Sequence, residues 1–311
     1  MKSPVKVQMV GAVGGLDGQF AALLKPTLEG SRVDVSLVRT IPNAYTGVAV
    51  IIVDSSAGGE NRIFFSPGAN YEGMRPSKDL LYTALAAAPV PDMIVMQGEI
   101  PVETLVSILR AVGAQKKARA ELGKNGIECG PDVLLNPAPA PPGGLPEDVY
   151  EGIDHLILNE TEAELMSPPT EKLLTTVPET EGLEKKDRIA RYFHTIGVTY
   201  VIITLGAKGV WYSAADAAAR FTNQVPASKV SQVVDTTAAG DTFVGTYSVE
   251  VARWRERRRA AGKAGQDLSR DEKVERYRGM MDHTMGLATK AAARCVERHG
   301  AMGSIPFEDE I

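Results

Sequence analysis

Residues 235–245 read Asp235-Thr236-Thr237-Ala238-Ala239-Gly240-Asp241-Thr242-Phe243-Val244-Gly245 and predict the passage from a strand ending near Val234 into a long helix. The small side chains at 238–240 allow the backbone to approach a ligand closely. The N–H groups at the helix start carry partial positive charge, which suits a transferring phosphoryl group. Asp241 is then placed to accept a hydroxyl proton. Helix capping is the alternative role for Asp241, but the complete string favours catalysis.

Strand-like and helix-like patterns alternate along the rest of the chain. The predicted strands are 5–13, 33–38, 46–54, 62–65, 93–97, 133–136, 155–159 and 200–204. The predicted helices are 20–28, 80–88, 102–124, 184–196, 239–259 and 273–298. This order predicts a single α/β domain over residues 1–311, with a doubly wound, mostly parallel sheet flanked by helices on both faces.

Three segments interrupt the alternation. Residues 137–146 are rich in Pro and Gly and predict an extended loop. Residues 167–183 and 254–271 predict surface insertions. The last segment carries a basic run of Arg255, Arg257, Arg258, Arg259 and Lys263. A localisation or nucleic-acid patch is one interpretation, but no aromatic stripe accompanies the charges, so we expect a solvated helix end.

The composition excludes several classes of protein. The chain has 311 residues, 44% of them apolar, with a net charge of −5, which argues against a general nucleic-acid binder. No apolar run reaches the ~18 residues of a membrane helix, and residues 1–4 lack a signal-peptide pattern. Two distant cysteines, Cys129 and Cys295, predict reduced core thiols in a cytoplasmic protein, with the nucleus as a possible additional location. The four histidines form no zinc-type cluster.

The common nucleotide-binding motifs do not explain the 235–245 string. The chain contains no G-x-x-x-x-G-K-[ST] sequence, and therefore no Walker-type phosphate loop. Residues 11–15 contain three glycines, but their spacing differs from G-x-G-x-x-G, so we interpret them as a strand end followed by a turn.

The 235–245 string resembles the C-terminal signature of the ribokinase-like (PfkB) carbohydrate kinases, and the likeness continues in the same order over nearly the whole chain. The other segments that carry it are Thr46-Gly47-Val48-Ala49, Gly59-Glu60-Asn61-Arg62, Pro67-Gly68-Ala69-Asn70, Asn136-Pro137-Ala138-Pro139-Ala140, Asn159-Glu160-Thr161-Glu162-Ala163-Glu164, Thr204-Leu205-Gly206-Ala207-Lys208-Gly209-Val210 and Gly300-Ala301-Met302-Gly303-Ser304-Ile305-Pro306. The resemblance implies phosphoryl transfer from ATP to D-ribose, giving D-ribose 5-phosphate. It also implies that residues 33–70 contribute strands to a small, partial β lid.

The resemblance assigns roles around the nucleotide. Asp241 matches the catalytic base, and Ala238, Ala239 and Gly240 match the anion hole. Asn159 and Glu162 match an element that organises the phosphates and a water-bound Mg²⁺, although their spacing also fits a capping box. The match to a nucleotide-binding turn covers Thr204, Leu205, Gly206, Ala207, Lys208 and Gly209, for which a plain β-turn is the alternative. Thr289 aligns with an adenine-side position.

The resemblance also assigns a sugar contact and a monovalent-cation site. Glu99 matches a glutamate that contacts the sugar just beyond a strand, with an exposed loop acid as the alternative. The matches to a K⁺ site, which acts mostly through backbone carbonyls, are Asp235, Thr237, Cys295, Arg298, Gly300 and Ser304. A structured loop without an ion is the alternative.

One part of the family pattern is missing from these residues. Family members begin with a strand carrying Asn-x-Asp, followed by a Gly-Gly-Lys-Gly-Ala-Asn type segment, and both hold sugar hydroxyls. The chain resembles the family only from just downstream of them, so we expect a truncated sequence or a lost sugar site. ATP binding should be retained, and ribose binding should be weak because lost hydrogen bonds to charged groups cost about 1.5–3 kcal/mol each.

Three functions therefore stay open at this point. The first is a ribose kinase, impaired or complete. The second is a kinase of the same superfamily for another sugar or a nucleoside. The third is a non-catalytic ATP-binding remnant. The expected partners are ATP, a small sugar and a second copy of the chain through the lid strands, weakened by the missing strands, with no nucleic acid and no membrane.

Overall fold

The central feature of the computed structural model is a six-stranded sheet. The structure describes residues 5–54, 60–80, 90–177, 182–216 and 219–311. The strands of this sheet lie side by side in chain order. They are β5 (Met93–Met96), β6 (Asp132–Leu135), β7 (His155–Asn159), β8 (Tyr200–Thr204), β9 (Val210–Ala215) and β10 (Arg220–Val225). Strands β5 to β8 are parallel to one another. Strand β9 pairs antiparallel with β8, and β10 pairs antiparallel with β9. The predicted mostly parallel α/β sheet is confirmed.

Helices cover both faces of this sheet because successive strand residues point to opposite sides. One core contains Leu156 and Leu158 of β7, and the other contains Ile157 between them. The first face is covered by α3 (Val102–Glu121), α4 (Glu160–Met166), α5 (Thr170–Thr176) and α6 (Lys185–Thr195). The second face is covered by α7 (Ala239–Ala260) and α9 (Met280–Val296), after the short α8 (Arg270–Val274) and a π-helical turn (Glu275–Gly279).

The first part of the chain forms two smaller sheets. Strands β1 (Val7–Gly14) and β2 (Val33–Ile41) pair in parallel, joined by a π-helical turn (Phe20–Leu24) and α1 (Lys25–Gly30). Strands β3 (Val48–Asp54) and β4 (Glu60–Ser66) form an antiparallel hairpin, which we call the lid, followed by α2 (Ala69–Gly73). Within residues 33–70, therefore, β2 pairs with β1 and only β3 and β4 form the lid. The predicted helix at 80–88 lies outside the described residues apart from Leu80.

Two sequence expectations differ from the structure on the way to α7 and near α5. No strand ends near Val234; instead the Val234 N–H donates to the Val296 carbonyl at the end of α9, 2.8 Å away. The sequence predicts a surface insertion over residues 167–183, but within this segment α5 buries Leu173, and Val177 joins the same core. These apolar side chains explain the difference, because their burial stabilises the segment against the sheet.

The basic segment at 254–271 is not a solvated helix end throughout. Arg255 is 3% exposed and Arg258 is 6% exposed. Arg255 lies between Asp92 and Asp132, and Arg258 pairs with Glu272 at 3.2 Å. The segment therefore fastens the end of α7 to the edge of the sheet, because buried guanidinium groups require carboxylate partners.

Two further expectations concern membranes and thiols. Within the described ranges, no helix is long and apolar enough to cross a membrane. Both cysteines are free thiols, Cys295 buried and Cys129 half-buried. Cys129 is therefore less enclosed than the core position that the sequence predicts.

We expect Arg255→Gln to lower the free energy of unfolding by about 3 kcal/mol or more, because it leaves the Asp132 carboxylate without its main counter-charge. Desolvation alone would raise the pKa of Asp132, but Arg255 and His155 hold that pKa well below its ordinary value. The stabilisation that the ionised Asp132 contributes is thus complete at neutral pH. It fades below about pH 4, the pKa of an aspartate in the unfolded chain, because the unfolded chain then takes up a proton at Asp132 before the folded one does.

Urea denaturation at pH 7 and pH 3.5 measures this effect, with Arg257→Gln as the matched control. Arg257 is exposed on the same helix turn, so its replacement should change stability by less than about 0.5 kcal/mol. Equal losses for the two variants would contradict the structural role assigned to Arg255.

Candidate active site

The start of α7 forms a sharp turn with an unusual backbone conformation. Ala238 adopts a left-handed conformation with φ of 61°, which is uncommon for a residue with a side chain. Its carbonyl accepts hydrogen bonds from both the backbone N–H and the hydroxyl of Thr242. Strain of this kind persists only where the surroundings impose it, and it is concentrated at functional sites. The first N–H groups of a helix have no acceptor within the helix, and at the start of α7 the Ala239 N–H donates to the Thr236 carbonyl at 3.3 Å.

Asp241 lies in the first turn of α7 and opens to solvent. Desolvation by the protein around it raises the pKa of Asp241 above the ordinary aspartate value. Glu99, just beyond β5, also has a raised pKa, first through desolvation and then through repulsion by the charge of Asp241. Glu99 and Asp241 are far apart in sequence, but the fold brings them close enough for the charge of one to act on the other.

The turn that carries Glu99 rests against the loop after β6. The Gly98 N–H donates to the Ala138 carbonyl at 3.1 Å, and a Cβ on Gly98 would lie 2.3 Å from the carbonyl oxygen of Pro139. The Gln97 side-chain carbonyl accepts the N–H of Glu99. The 137–146 loop, predicted from its Pro and Gly content, thus supports the glutamate turn. Sequence reasoning missed Gly98, although a glycine directly before a candidate site residue is a usable signal.

Asn159 and Glu162 form a reciprocal capping box at the start of α4. The Glu162 N–H donates to Asn159 Oδ1 and the Asn159 N–H donates to Glu162 Oε2, each at 2.8 Å. Desolvation raises the pKa of Glu162. The structure therefore contains the capping box that the sequence offered as the alternative. The roles of Asn159 and Glu162 toward phosphate and Mg²⁺ stay predictions. Glu162 Oε1 and the Asn159 amide nitrogen are the polar atoms that the box does not use.

The 204–209 turn lies beside Asn159, because Asn159 and Thr204 are paired residues at the ends of β7 and β8. A short 3₁₀ turn, Gly206–Lys208, connects β8 to β9. Gly209 has a φ of 94°, and a Cβ there would lie 2.1 Å from the Val225 carbonyl oxygen. The turn is thus a strand connection, and its predicted nucleotide contacts stay predictions.

Asp235 links the turn before α7 to the tail of the chain. Its Oδ1 accepts the N–H of Thr237 and its Oδ2 accepts the N–H of Gly300, each at 2.9 Å. Burial would raise the pKa of Asp235, but hydrogen bonds from the Thr237 side chain and from the N–H groups of Thr237 and Gly300 outweigh it and lower the pKa. Cys295 Sγ lies 3.5 Å from the Thr237 carbonyl and 3.2 Å from Ser304 Oγ.

These contacts join five of the six predicted cation-site residues. The prediction for Arg298 concerns its backbone, whose N–H donates to the Cys295 carbonyl at 3.1 Å. Arg298 pairs with Glu310 at the chain end. Thr289 is 7% exposed, and its hydroxyl donates to the Gly286 carbonyl within α9, so nothing in its geometry favours contact with a nucleotide. In the described ranges, no group of three or more His, Cys, Asp or Glu side chains could hold a metal ion.

The model of the pfkB family carbohydrate kinases matches residues 3–307, and the chain belongs to that family. Ribokinase of Schizosaccharomyces pombe is 34% identical over 307 residues, covering 98% of this chain and 78% of the relative. The solved structure of Arabidopsis thaliana ribokinase complexed with ribose and ATP is 25% identical, covers 98% of this chain and 80% of that one, and has a TM-score of 0.67. Ribokinase of Thermotoga maritima is 27% identical with a TM-score of 0.65, over 97% of this chain and 79% of that one. The resemblance inferred from the sequence is confirmed.

We expect Gly98→Ala to destabilise the protein by about 1–3 kcal/mol, because the added methyl group forces a backbone carbonyl to move. Gly113→Ala in α3 is the matched control, since its Cβ would lie at an ordinary 3.7 Å from the nearest atom. Chemical denaturation of both variants measures the difference. A Gly98→Ala variant as stable as Gly113→Ala would show that the glutamate turn does not depend on this contact.

Proposed function

We propose that this carbohydrate kinase transfers the γ-phosphoryl group of ATP to the 5-hydroxyl of D-ribose. The observation that carries this proposal is the position of Asp241 in the first turn of α7, directly after the left-handed Ala238, where its charge also acts on Glu99. The ribose and ATP in the Arabidopsis thaliana structure support this substrate pair. The same fold also serves other substrates, so a kinase for a different sugar or a nucleoside is the alternative.

Asp241 acts as general base in this proposal. Its raised pKa makes the carboxylate a better proton acceptor, which favours removal of the hydroxyl proton as the oxygen attacks phosphorus. The N–H groups around Ala238, Ala239 and Gly240 stabilise the charge that develops on the transferred group. Glu99 accepts a hydrogen bond from another sugar hydroxyl and so orients the ring.

Two cations belong to the proposal. Mg²⁺ would neutralise phosphate charge and, because it keeps most of its waters, would be held through water by Glu162 with Asn159 nearby. K⁺ would be held at the turn around Asp235 by carbonyl oxygens of the converging residues. The ionised, buried Asp235 supports that site, because a lowered pKa keeps its charge at neutral pH. An ion there would order the turn without entering the reaction.

A second copy of the chain is proposed to cover the lid. Val48, Val50, Ile52 and Phe64 leave 44% to 62% of their surfaces exposed. Val50 pairs with Phe64 across the hairpin, so these side chains share one apolar face. Sedimentation velocity should show a dimer that Phe64→Glu converts to monomer, and a wild-type monomer at tens of micromolar would refute it.

We also propose a cytoplasmic location, which free thiols fit. Cell fractionation tests this location.

We expect Asp241→Asn to lower kcat by about 10² to 10⁴, the usual effect of losing a general base. ATP affinity should change little, because the backbone donors remain. A coupled ADP-release assay over pentoses, hexoses and nucleosides measures turnover and selects the substrate. Asp271→Asn is the matched control, since Asp271 lies in the first turn of α8. Unchanged kcat in Asp241→Asn would remove Asp241 from this role.

We expect replacement of K⁺ by tetramethylammonium to depress activity, and Asp235→Asn to remove most of that difference. The reason is that the carboxylate charge attracts the ion, while the asparagine keeps a hydrogen-bond acceptor for Thr237. Initial rates in the two salts at equal ionic strength measure it. A K⁺ response of undiminished size in Asp235→Asn would place the cation elsewhere.

A further inference from the structure

We propose that Asp17 is a positioning residue that fixes the root of the lid and thereby sets the lid over the sugar side of the site. This inference rests on the proposed function only for its effect on sugar binding. The structural part concerns the turn after β1, which the sequence identifies as a turn and to which it gives no role.

The Asp17 carboxylate accepts hydrogen bonds from both donors of Thr46, the residue at the root of the lid. The Thr46 N–H donates to Asp17 Oδ2 at 2.6 Å, and the Thr46 hydroxyl donates to Asp17 Oδ1 at 2.9 Å. The Gln19 N–H donates to the same Oδ1 at 3.1 Å, which keeps the carboxylate oriented. Hydrogen bonds to an ionised acceptor are about twice as strong as neutral ones, so this contact is a strong local constraint.

The end of β1 adds to the same junction. The Gly14 N–H donates to Thr46 Oγ1 at 3.1 Å, so the hydroxyl is both donor and acceptor. A Cβ on Gly14 would lie 2.3 Å from the Thr46 nitrogen, which shows how closely the two backbones approach. Thr46 is accordingly 7% exposed.

The chain leaves the lid after β4 at the same junction where it enters the lid before β3. The Ala69 N–H donates to the Tyr45 carbonyl at 2.9 Å, and a Cβ on Gly68 would lie 2.5 Å from the same oxygen. Both ends of the hairpin are therefore tied to residues 45–47, which Asp17 holds.

Beyond this root the lid has little to orient it. Val50 is 57% exposed and Ile52 is 54% exposed, so these side chains do not anchor β3 to the rest of the chain. In a single chain, the described part of the hairpin is tied at its base and takes its direction from that base. Loss of the Asp17 contact should therefore loosen the whole lid while leaving the six-stranded sheet intact.

Hydrogen exchange of the folded chain tests this with paired variants. Thr46→Val removes the hydroxyl at nearly constant shape, and Thr46→Ser keeps it. Asp17→Asn removes the charge. Asp34→Asn is the matched control, because Asp34 also accepts a backbone N–H and a side-chain amide but lies on β2, away from the lid root.

We expect amide exchange in Val48–Asp54 and Glu60–Ser66 to accelerate at least about tenfold in Asp17→Asn and Thr46→Val, as for the loss of a hydrogen bond to a charged group. Exchange in β8 should stay unchanged, and Thr46→Ser and Asp34→Asn should match the wild type. If the wild type phosphorylates a sugar, KM for that sugar should rise in Asp17→Asn and Thr46→Val, while KM for ATP should not change.

Unchanged lid exchange in Asp17→Asn and Thr46→Val would overturn the inference, as would equal acceleration in the lid and in β8, which would show general destabilisation. Failure of the wild type to phosphorylate any sugar would refute the proposed function instead. The exchange result would still decide the role of Asp17, so the two failures are distinguishable.

Discussion

The carboxylate of Asp235 joins two distant parts of the chain, and the geometry of the site follows from that link. One oxygen accepts the Thr237 N–H in the turn before α7, and the other accepts the Gly300 N–H in the tail. The left-handed Ala238 follows immediately and begins the helix that carries Asp241. Because both oxygens of the buried carboxylate accept hydrogen bonds, the turn before α7 is held in place.

The second half of the site depends on the order of the parallel strands. Strands β5 to β8 end at one edge, which places Glu99, Asn159 and Thr204 along the same line. Ligands bind beyond the carboxyl ends of strands in such sheets. The loop after β6 then supports the Glu99 turn through Ala138 and Pro139.

Local signals in the sequence predicted much of this. Alternating apolar runs predicted the parallel strands, and the 235–245 string predicted the start of α7, because both depend on neighbouring residues. The approach of Glu99 to Asp241 came only from the family resemblance, since nothing local shows which strands are neighbours. The burial of Arg255 was missed for the same reason: its partners Asp92 and Asp132 are more than 100 residues away in sequence. The strand expected near Val234 was wrong, because those residues bind the end of α9 rather than another strand.

In the proposed reaction, Asp241 directs phosphoryl transfer to one hydroxyl of one pentose. ³¹P nuclear magnetic resonance of a reaction containing ATP and D-ribose labelled with ¹³C at position 5 tests this most directly. We expect a new phosphate-ester signal coupled to the labelled carbon, together with ADP in equal amount, and formation of both about 10² to 10⁴ times more slowly with Asp241→Asn. An ester at another position, or ADP release that does not depend on ribose, would contradict it.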